Sequence, residues 1–510
     1  MIISLSVLVI TIIVSGTYAL YKAQLSKNIG VNTTTHGLAY YINYVKGTDI
    51  TAATLNPSTS YEGGASSDIE FWKKDDSYDI YGKIELTVNT IGTNLSNSPA
   101  LKYAVVNNGN VLKEGSLKGT TSGSKVTILK NLYLEQTKQI YTVYVWLDNS
   151  EELGNISNES LSISVDCTAS LQKEPTAADT IISLYTSAAK VTATNNSITY
   201  NTAPSVSLMN DRLGGTTTDL DGGNIRYYGA NPNNYIYFNC SDYSNQTSST
   251  CETWRIIGVF DGKLKLIRGS QIGKYSWDNK NTSTGAEDDR GKNDWTTARL
   301  MKLLNPDDYY INDNNDKDSE GNYLGYSLYY NSASGMCFTD EGVNYSACDF
   351  TSTGIKNDET RNMIAETTYN LGGWNDTGVY PNEIYEYERG TTVYTGRPTT
   401  WTGKIALAYP SDYGYAADLN QCKQTLANYD NSTCTSNNWM KAIITDNGSN
   451  HGWLLTPDSS YSFGAWYSHG NVGEYFTGAA RGAVPVLSLS SKLGIESGDG
   501  SSSNPYKLSA

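Results

Sequence analysis

Between residues 28 and 170 apolar and polar positions alternate in short runs: "KIELTVNTIG", "LKYAVVNNGNVLKEG", "SKVTILKNLYL", "IYTVYVWLDN" and "SLSISVDC". Successive side chains of a strand point to opposite faces, so such runs, about ten residues apart and separated by Gly, Asn and Ser turns, predict half-buried antiparallel strands and a β-sandwich. From 171 to 224 the pattern loosens into "KEPTAADTIISLYTSAAKVTATNNS" and "GGTTTDLDGG", which reads as a linker with one short helix. From 225 to 510 the periods mix. Strands are expected at "NYIYFN", "WRIIGVFDGKLKLIR", "GKIALAY", "GWLLTP" and "AVPVLSLS", the second being a hairpin turning on Asp261-Gly262. Helices are expected at "DWTTARLMKLL", capped by Asp294 and closed before Pro306, and at "DETRNMIAETTYNL", closed by Gly372-Gly373. The reading is a mostly β chain with an α+β C-terminal domain rich in long polar loops.

Ahead of this body, residues 2–20 of "MIISLSVLVITIIVSGTYALYKAQ" form an apolar run, suited to a signal-peptide core or a short membrane span. Ser15, Gly16, Thr17 and Ala19 supply the small residues a signal peptidase needs, with cleavage expected after Ala19; uncleaved, residues 1–27 would be a membrane anchor. Lys22 and Lys27 follow the run and no Lys or Arg precedes it, which by charge bias alone would leave the body in the cytoplasm. The cysteines argue for export. Six of the seven fall into close pairs of nearly equal spacing, Cys240 with Cys251, Cys337 with Cys348 and Cys422 with Cys434. They lack zinc-type spacing, and the chain holds only His36, His451 and His469 as imidazoles. Three local disulfides are expected, each closing a small loop worth about 3 kcal/mol, and disulfides belong to an oxidising compartment. Cys167 is left over as a buried free thiol.

The 510 residues exceed one ordinary core. Only 17 % are charged, while Tyr reaches 40 and Gly 46, a surface kept soluble by hydroxyls and amides. A formal charge of −15 excludes nucleic acid as a partner, because phosphate binding needs a basic stripe, and it suits calcium or the cations of a cell wall.

The motifs "NIRYYGANPNNYIYFN", "WRIIGVFDGKLKLIR", "TGKIALAYPSDYGYAAD" and "ARGAVPVLSLSSKLGIESGDGSSSNPYKL" resemble, in the same order, a C-terminal domain of uncharacterised exported surface proteins of low-GC Gram-positive gut bacteria. The resemblance covers most of 220–510 and implies no particular reaction. The closing pattern of a "WL" strand, an aromatic loop and "RG-x-x-PV-L-L" is also similar to C-type-lectin-like and sulfatase-modifying-factor folds. Region 28–170 resembles the β-sandwich of exported camelysin and TasA-type matrix-fibre subunits.

Candidate chemistry is sparse. His469 with Asp458 and a serine is a triad on paper only, since no nucleophile-elbow motif supports it. The 52 acidic residues single out no glycosidase pair, and the paired cysteines leave none for redox chemistry in the C-terminal domain. No catalytic residue is assigned and no cofactor is required. Calcium has one candidate loop: Asp316, Asp318 and Glu320 alternate before Gly321 in "DNNDKDSEGNY", although an EF-hand would then ask for an acid where Ser327 stands. Asp219 and Asp221 form a weaker instance.

The best contact surface is "SSYSFGAWYSHGNVGEYF", residues 459–476, between two expected strands. Tyr461, Phe463, Trp466, Tyr467, Tyr475 and Phe476, interspersed with Ser, Gly, His469, Asn471 and Glu474, have the make-up of a recognition loop: rigid rings with adaptable polar neighbours. Equally, alternating aromatics could pack inward as an ordinary strand pair. Arg481, opening the last strand, reads as a structural anchor. The function expected is an exported, non-enzymatic cell-surface module binding a glycan or protein. The alternatives are a fibre subunit self-assembling through its sandwich edges and, third, a secreted hydrolase.

Overall fold

The computed structural model describes residues 23–24, 41–51, 55–151, 153–156, 158–171, 173–213, 222–279, 290–311, 317, 321, 324–339 and 345–509. The apolar run at 2–20 and the acidic residues Asp219, Asp221, Asp316, Asp318 and Glu320 lie outside them. No helix among the described residues is long and apolar enough to cross a membrane. The chain divides into two compact units, Met1–Glu174 and Pro175–Ala510.

The first unit is a pair of mainly antiparallel sheets. One runs β1 (Ile42–Val45), β2 (Ala65–Lys73), β7 (Ile140–Asp148), β4 (Leu101–Asn107), β5 (Asn110–Ser116). The other contains β8 (Leu161–Ser170), β3 (Tyr81–Ile91) and β6 (Lys125–Tyr133). Alternation decides what is buried: Ile69 and Phe71 of β2, Val143 and Val145 of β7, Ile84, Leu86 and Val88 of β3 and Ile163 and Val165 of β8 share one core. Cys167 falls in phase with Ile163 and Val165, is 1 % exposed, and carries a free thiol. Among the described residues, strand β5 ends its sheet with one unpaired edge, and it exposes Val111 and Leu112.

The second unit begins with structure where sequence texture reads a linker. Helix α1 (Ala177–Ser187) opens on a reciprocal cap between Thr176 and Asp179 and buries Ala177, Ala178, Ile181 and Tyr185, one helical face, against the main sheet. Next come β9 (Val191–Asn195), β10 (Ile198–Ala203) and β11 (Leu208–Asn210), continuing through β12 (Ile225–Tyr227), β14 (Glu252–Phe260), β15 (Lys263–Arg268), β22 (Val486–Ser488) and β17 (Ile405–Ala406), with β13 (Tyr235–Phe238) also on β14. The β14–β15 turn puts Asp261 and Gly262 at φ of 49° and 70°, the left-handed pair that a two-residue hairpin favours.

Helix α2 (Arg299–Leu304) follows a 3-10 turn capped by Asp294. The helix expected over 358–371 stops early: α3 (Asp358–Met363), capped by Asn357, gives way to a strand at Thr367–Asn370 paired with Thr400–Gly403. The β-branched Thr367 and Thr368 fit the pleat better than another helical turn. After Gly403, "GKIALAY" is strand only at Ile405–Ala406, because the Asp412 carboxylate accepts the Tyr409 amide at 3.1 Å and caps α5 (Pro410–Tyr415), the helix that follows α4 (Pro381–Glu388). All three expected disulfides are present.

Residues of three of the quoted motifs meet, with Asp211, in a buried ion network. Arg226 of β12 donates through Nε to Asp211 at 2.6 Å and through Nη1 to Asp412 of α5 at 2.9 Å, and Lys265 of β15 donates to the other Asp412 oxygen at 2.5 Å. Burial would raise the Asp412 carboxyl, yet Lys265 and Arg226 outweigh it and hold it below its ordinary value. Two cations balance two anions, so these residues fasten helix to sheet.

Candidate binding site

The second sheet of this unit has the order β16 (Lys274–Ser276), β21 (Ala480–Gly482), β18 (Gly452–Pro457), β19 (Gly464–Ser468), β20 (Val472–Phe476). The aromatic stretch is therefore the β19–β20 hairpin with its lead-in loop. The loop is tied from within: Asn293 donates to the carbonyls of Asp458, Tyr461 and Gly464, and Asp458 accepts the Tyr461 amide at 3.0 Å. At the tip Gly470 sits at φ 125°, and its carbonyl accepts the Tyr413 hydroxyl at 2.6 Å.

Register sorts the side chains. Trp466 lies opposite Glu474, while Tyr467 lies opposite Gly473 and Ala465 opposite Tyr475, so the first pair and the other two occupy different faces. On the inner face Trp466 is fully buried and donates to the carbonyl of Trp374. Glu474 is half-buried, and burial first, then its hydrogen bond with Asp458 and the charges of Asp458 and Asp376, pushes its carboxyl up to about 8. It is thus a protonated acid at neutral pH, with Oε1 buried and unpartnered.

The other face gathers cations and rings. The Arg481 guanidinium lies 3.9 Å from the Tyr467 ring centre and 4.2 Å from that of Tyr475, and Nη1 donates to Nδ1 of His451. Because a guanidinium can only donate, Nδ1 is the acceptor and the His451 proton sits on Nε2. Burial, then Arg481, His469 and Lys274, lower the His451 pKa and keep it neutral. His451 stacks on Tyr467 at 5.3 Å and meets His469 at 4.6 Å, so both imidazoles of the second unit converge here.

Of the expected contact residues, Tyr461 (58 % exposed), Tyr475 (40 % exposed) and His469 reach solvent, and Tyr467 is half-buried among them. Phe463 packs under the Arg290 guanidinium at 3.6 Å, and Phe476 stacks on Tyr475 at 4.1 Å. Asn471 is turned inward, donating to the Ala427 carbonyl. Trp466 and Glu474 belong to the inner face. The sequence reading left His451 unassigned and took Arg481 as a structural anchor because they belong to other strands, His451 just before β18 and Arg481 within β21, and only the parallel approach of β18 and β21, which pairs Gly452 with Gly482, brings them together.

Asp458 is held by Ser460, Tyr461 and Glu474, whereas His469 lies against His451 and Tyr467, so the paper triad is not assembled. Ser327 donates its hydroxyl to the Asn305 carbonyl at 2.7 Å. Among the described residues no group of three His, Cys, Asp or Glu side chains is placed to hold a metal ion. A cavity of about 10 Å³ between Tyr275, Arg299 and Phe338 has room for roughly one water.

No protein-family model matches the chain, and no curated protein matches it. Among solved structures, an HCR/D mutant aligns with 11 % identity over 51 % of this chain and 74 % of that one, at a TM-score of 0.15. The receptor-binding domain of botulinum neurotoxin mosaic serotype C/D aligns with 11 % identity over 52 % and 75 %, also at 0.15.

Proposed function

We propose that the chain is an exported, non-enzymatic cell-surface protein whose second unit binds a glycan or protein ligand through the outer face of the β19–β20 hairpin. The observation that carries this reading is the convergence of Tyr467, Tyr475, His469 and His451, with the Tyr475 and His469 rings exposed, around the buried Arg481 guanidinium on a chain of net charge −15. Amphipathic rings offer contact area at low conformational cost, and the adjoining cation adds orientation. The three disulfides favour an oxidising compartment. The test is a glycan array probed with the full chain, with and without calcium, beside Tyr475→Ala. Binding that the variant loses supports the reading, and calcium dependence would extend it to Asp316, Asp318 and Glu320. Binding that the variant retains would move the site elsewhere.

One observation favours fibre assembly as a second reading: edge strand β5 presents Val111 and Leu112 to solvent beside its unpaired backbone. Electron microscopy of purified protein should then show filaments that Val111→Lys abolishes.

A further inference from the structure

The Lys265 side chain of β15 is 5 % exposed, and among the described residues its ammonium has one hydrogen-bond acceptor, Oδ2 of Asp412 at 2.5 Å. Its other neighbours are the rings of Tyr409 at 4.6 Å and Phe260 at 5.0 Å. An ammonium carries three donors, so two of them meet rings alone. Burial outweighs the Asp412 charge here and lowers the Lys265 pKa, which favours the free amine, the nucleophilic form of lysine. The carboxyl is held as firmly. Oδ1 of Asp412 accepts Nη1 of Arg226 at 2.9 Å, Oδ2 accepts the Tyr409 amide at 3.1 Å, and Glu388 accepts the amide of the adjoining Ser411. The first unit offers a contrast. Lys102 and Asp148 stand equally close, at 2.6 Å, but they are partly exposed and Glu151 is a second acceptor at 3.2 Å. Against burial, the hydrogen bonds to both carboxylates raise the Lys102 pKa and keep that amine charged.

We propose that Lys265 and Asp412 condense into an intramolecular isopeptide bond, which fastens β15 covalently to α5 across 147 residues of chain. The inference does not depend on the ligand-binding reading above. Amine and carboxyl condense poorly in water, but a fixed contact inside a fold is worth an effective concentration of about 10⁵–10⁸ M. One ammonium proton passes to Oδ2, and the free amine attacks Cγ. Arg226 holds the negative charge that develops on Oδ1. As the carbonyl re-forms, the Cγ–Oδ2 bond breaks and Oδ2 leaves as water with a second proton from nitrogen. Ammonium plus carboxylate thus becomes amide plus one water, with no oxidant, reductant or added reagent. One cation and one anion vanish together, and Arg226 stays paired with Asp211. The interior is relieved of two desolvated charges.

Mass spectrometry of the full chain, reduced and denatured after purification in the folded state, tests this. The chain should weigh one water less than its sequence. Trypsin should leave Lys265 uncut and release residues 264–268 joined to residues 405–423, again one water short of the sum. Lys265→Arg keeps a cation and cannot form this amide, so it should recover the missing water. Lys102→Arg, at the solvated pair, should keep the deficit. The decisive reading is made on the unsubstituted chain, so a variant that folds poorly does not blunt the test. Full sequence mass, with cleavage after Lys265 and a free 405–423 peptide, overturns the proposal. So does a missing water that maps to a cyclic imide at Asp261-Gly262 or to Lys102 and Asp148, or a deficit that persists in Lys265→Arg.

Discussion

Trp466 donates its indole N–H to the backbone carbonyl of Trp374 at 3.1 Å, across 92 residues of chain. That bond, with zero exposure, makes Trp466 part of the core formed with Leu454, Met440 and Val484 and separates it from its neighbour Tyr467. Trp466→Ala should therefore cost about 3–5 kcal/mol in denaturant unfolding. Tyr475→Ala, on the exposed face, should stay within about 1 kcal/mol. A Trp466→Ala protein of full stability that failed to bind would put this ring on the contact surface instead.

Opposite Trp466, Glu474 keeps its proton to about pH 8 in the fold, against an ordinary value of 4.5. An acid raised on folding releases its proton earlier when unfolded, so native stability falls as pH climbs from 4.5 towards 8 and levels off above it. In Glu474→Gln the amide mimics the protonated acid, and this loss should vanish. Urea midpoints of the two proteins between pH 5 and 9 should diverge with rising pH; parallel curves would mean that Glu474 is ionised throughout.

The sandwich, the Asp261-Gly262 hairpin and the disulfides were legible because each has a local code: period two, a left-handed turn pair, close cysteine spacing. The segment 171–224 misled because it is polar and small on average, while its information lies in the Thr176–Asp179 cap and the Ile181–Tyr185 face. The aromatic stretch announced a hairpin, but nothing in it says whether Trp466 or Tyr467 faces inward. One residue of register decides that, set by how β19 pairs with β18 and β20. Arg481 and His451 were invisible as partners because their meeting is tertiary.

Arg226 pairs with Asp211 and shares Asp412 with Lys265 inside the second unit, so removing it takes the guanidinium partner from the buried Asp211 carboxylate and leaves Asp412 to Lys265 alone. Arg226→Ala should destabilise by roughly 3–5 kcal/mol or prevent folding. Thermal melts of Arg226→Ala beside Lys263→Ala, a control at the start of β15 in the same sheet, read the difference directly. Equal melts would show that the network contributes nothing.

Cys167 is buried in the first unit, and burial, followed by the charges of Asp166 and Glu85, raises its thiol well above the ordinary value. Alkylation of the native protein should be negligible at pH 8 and should become complete only as the β-sandwich opens, so the labelling rate reports that unit alone. Non-reducing mass spectrometry should find the three bonds of the second unit intact and one alkylatable thiol. Rapid labelling without denaturant would place Cys167 outside the core.

Gly473 faces Tyr467 across the hairpin, and a Cβ there would stand 3.0 Å from the Tyr467 ring. Gly473→Val forces that ring aside, and the ring is what holds the Arg481 guanidinium at 3.9 Å and stacks on His451. Both hairpin strands keep their backbone pairing, and valine suits a strand, so the stability cost should be about 1–3 kcal/mol of local crowding. Ligand binding should fall as far as in Tyr467→Ala, although no contact residue has been removed. Unchanged affinity in Gly473→Val would show that the Tyr467 and Arg481 arrangement does not shape the binding face.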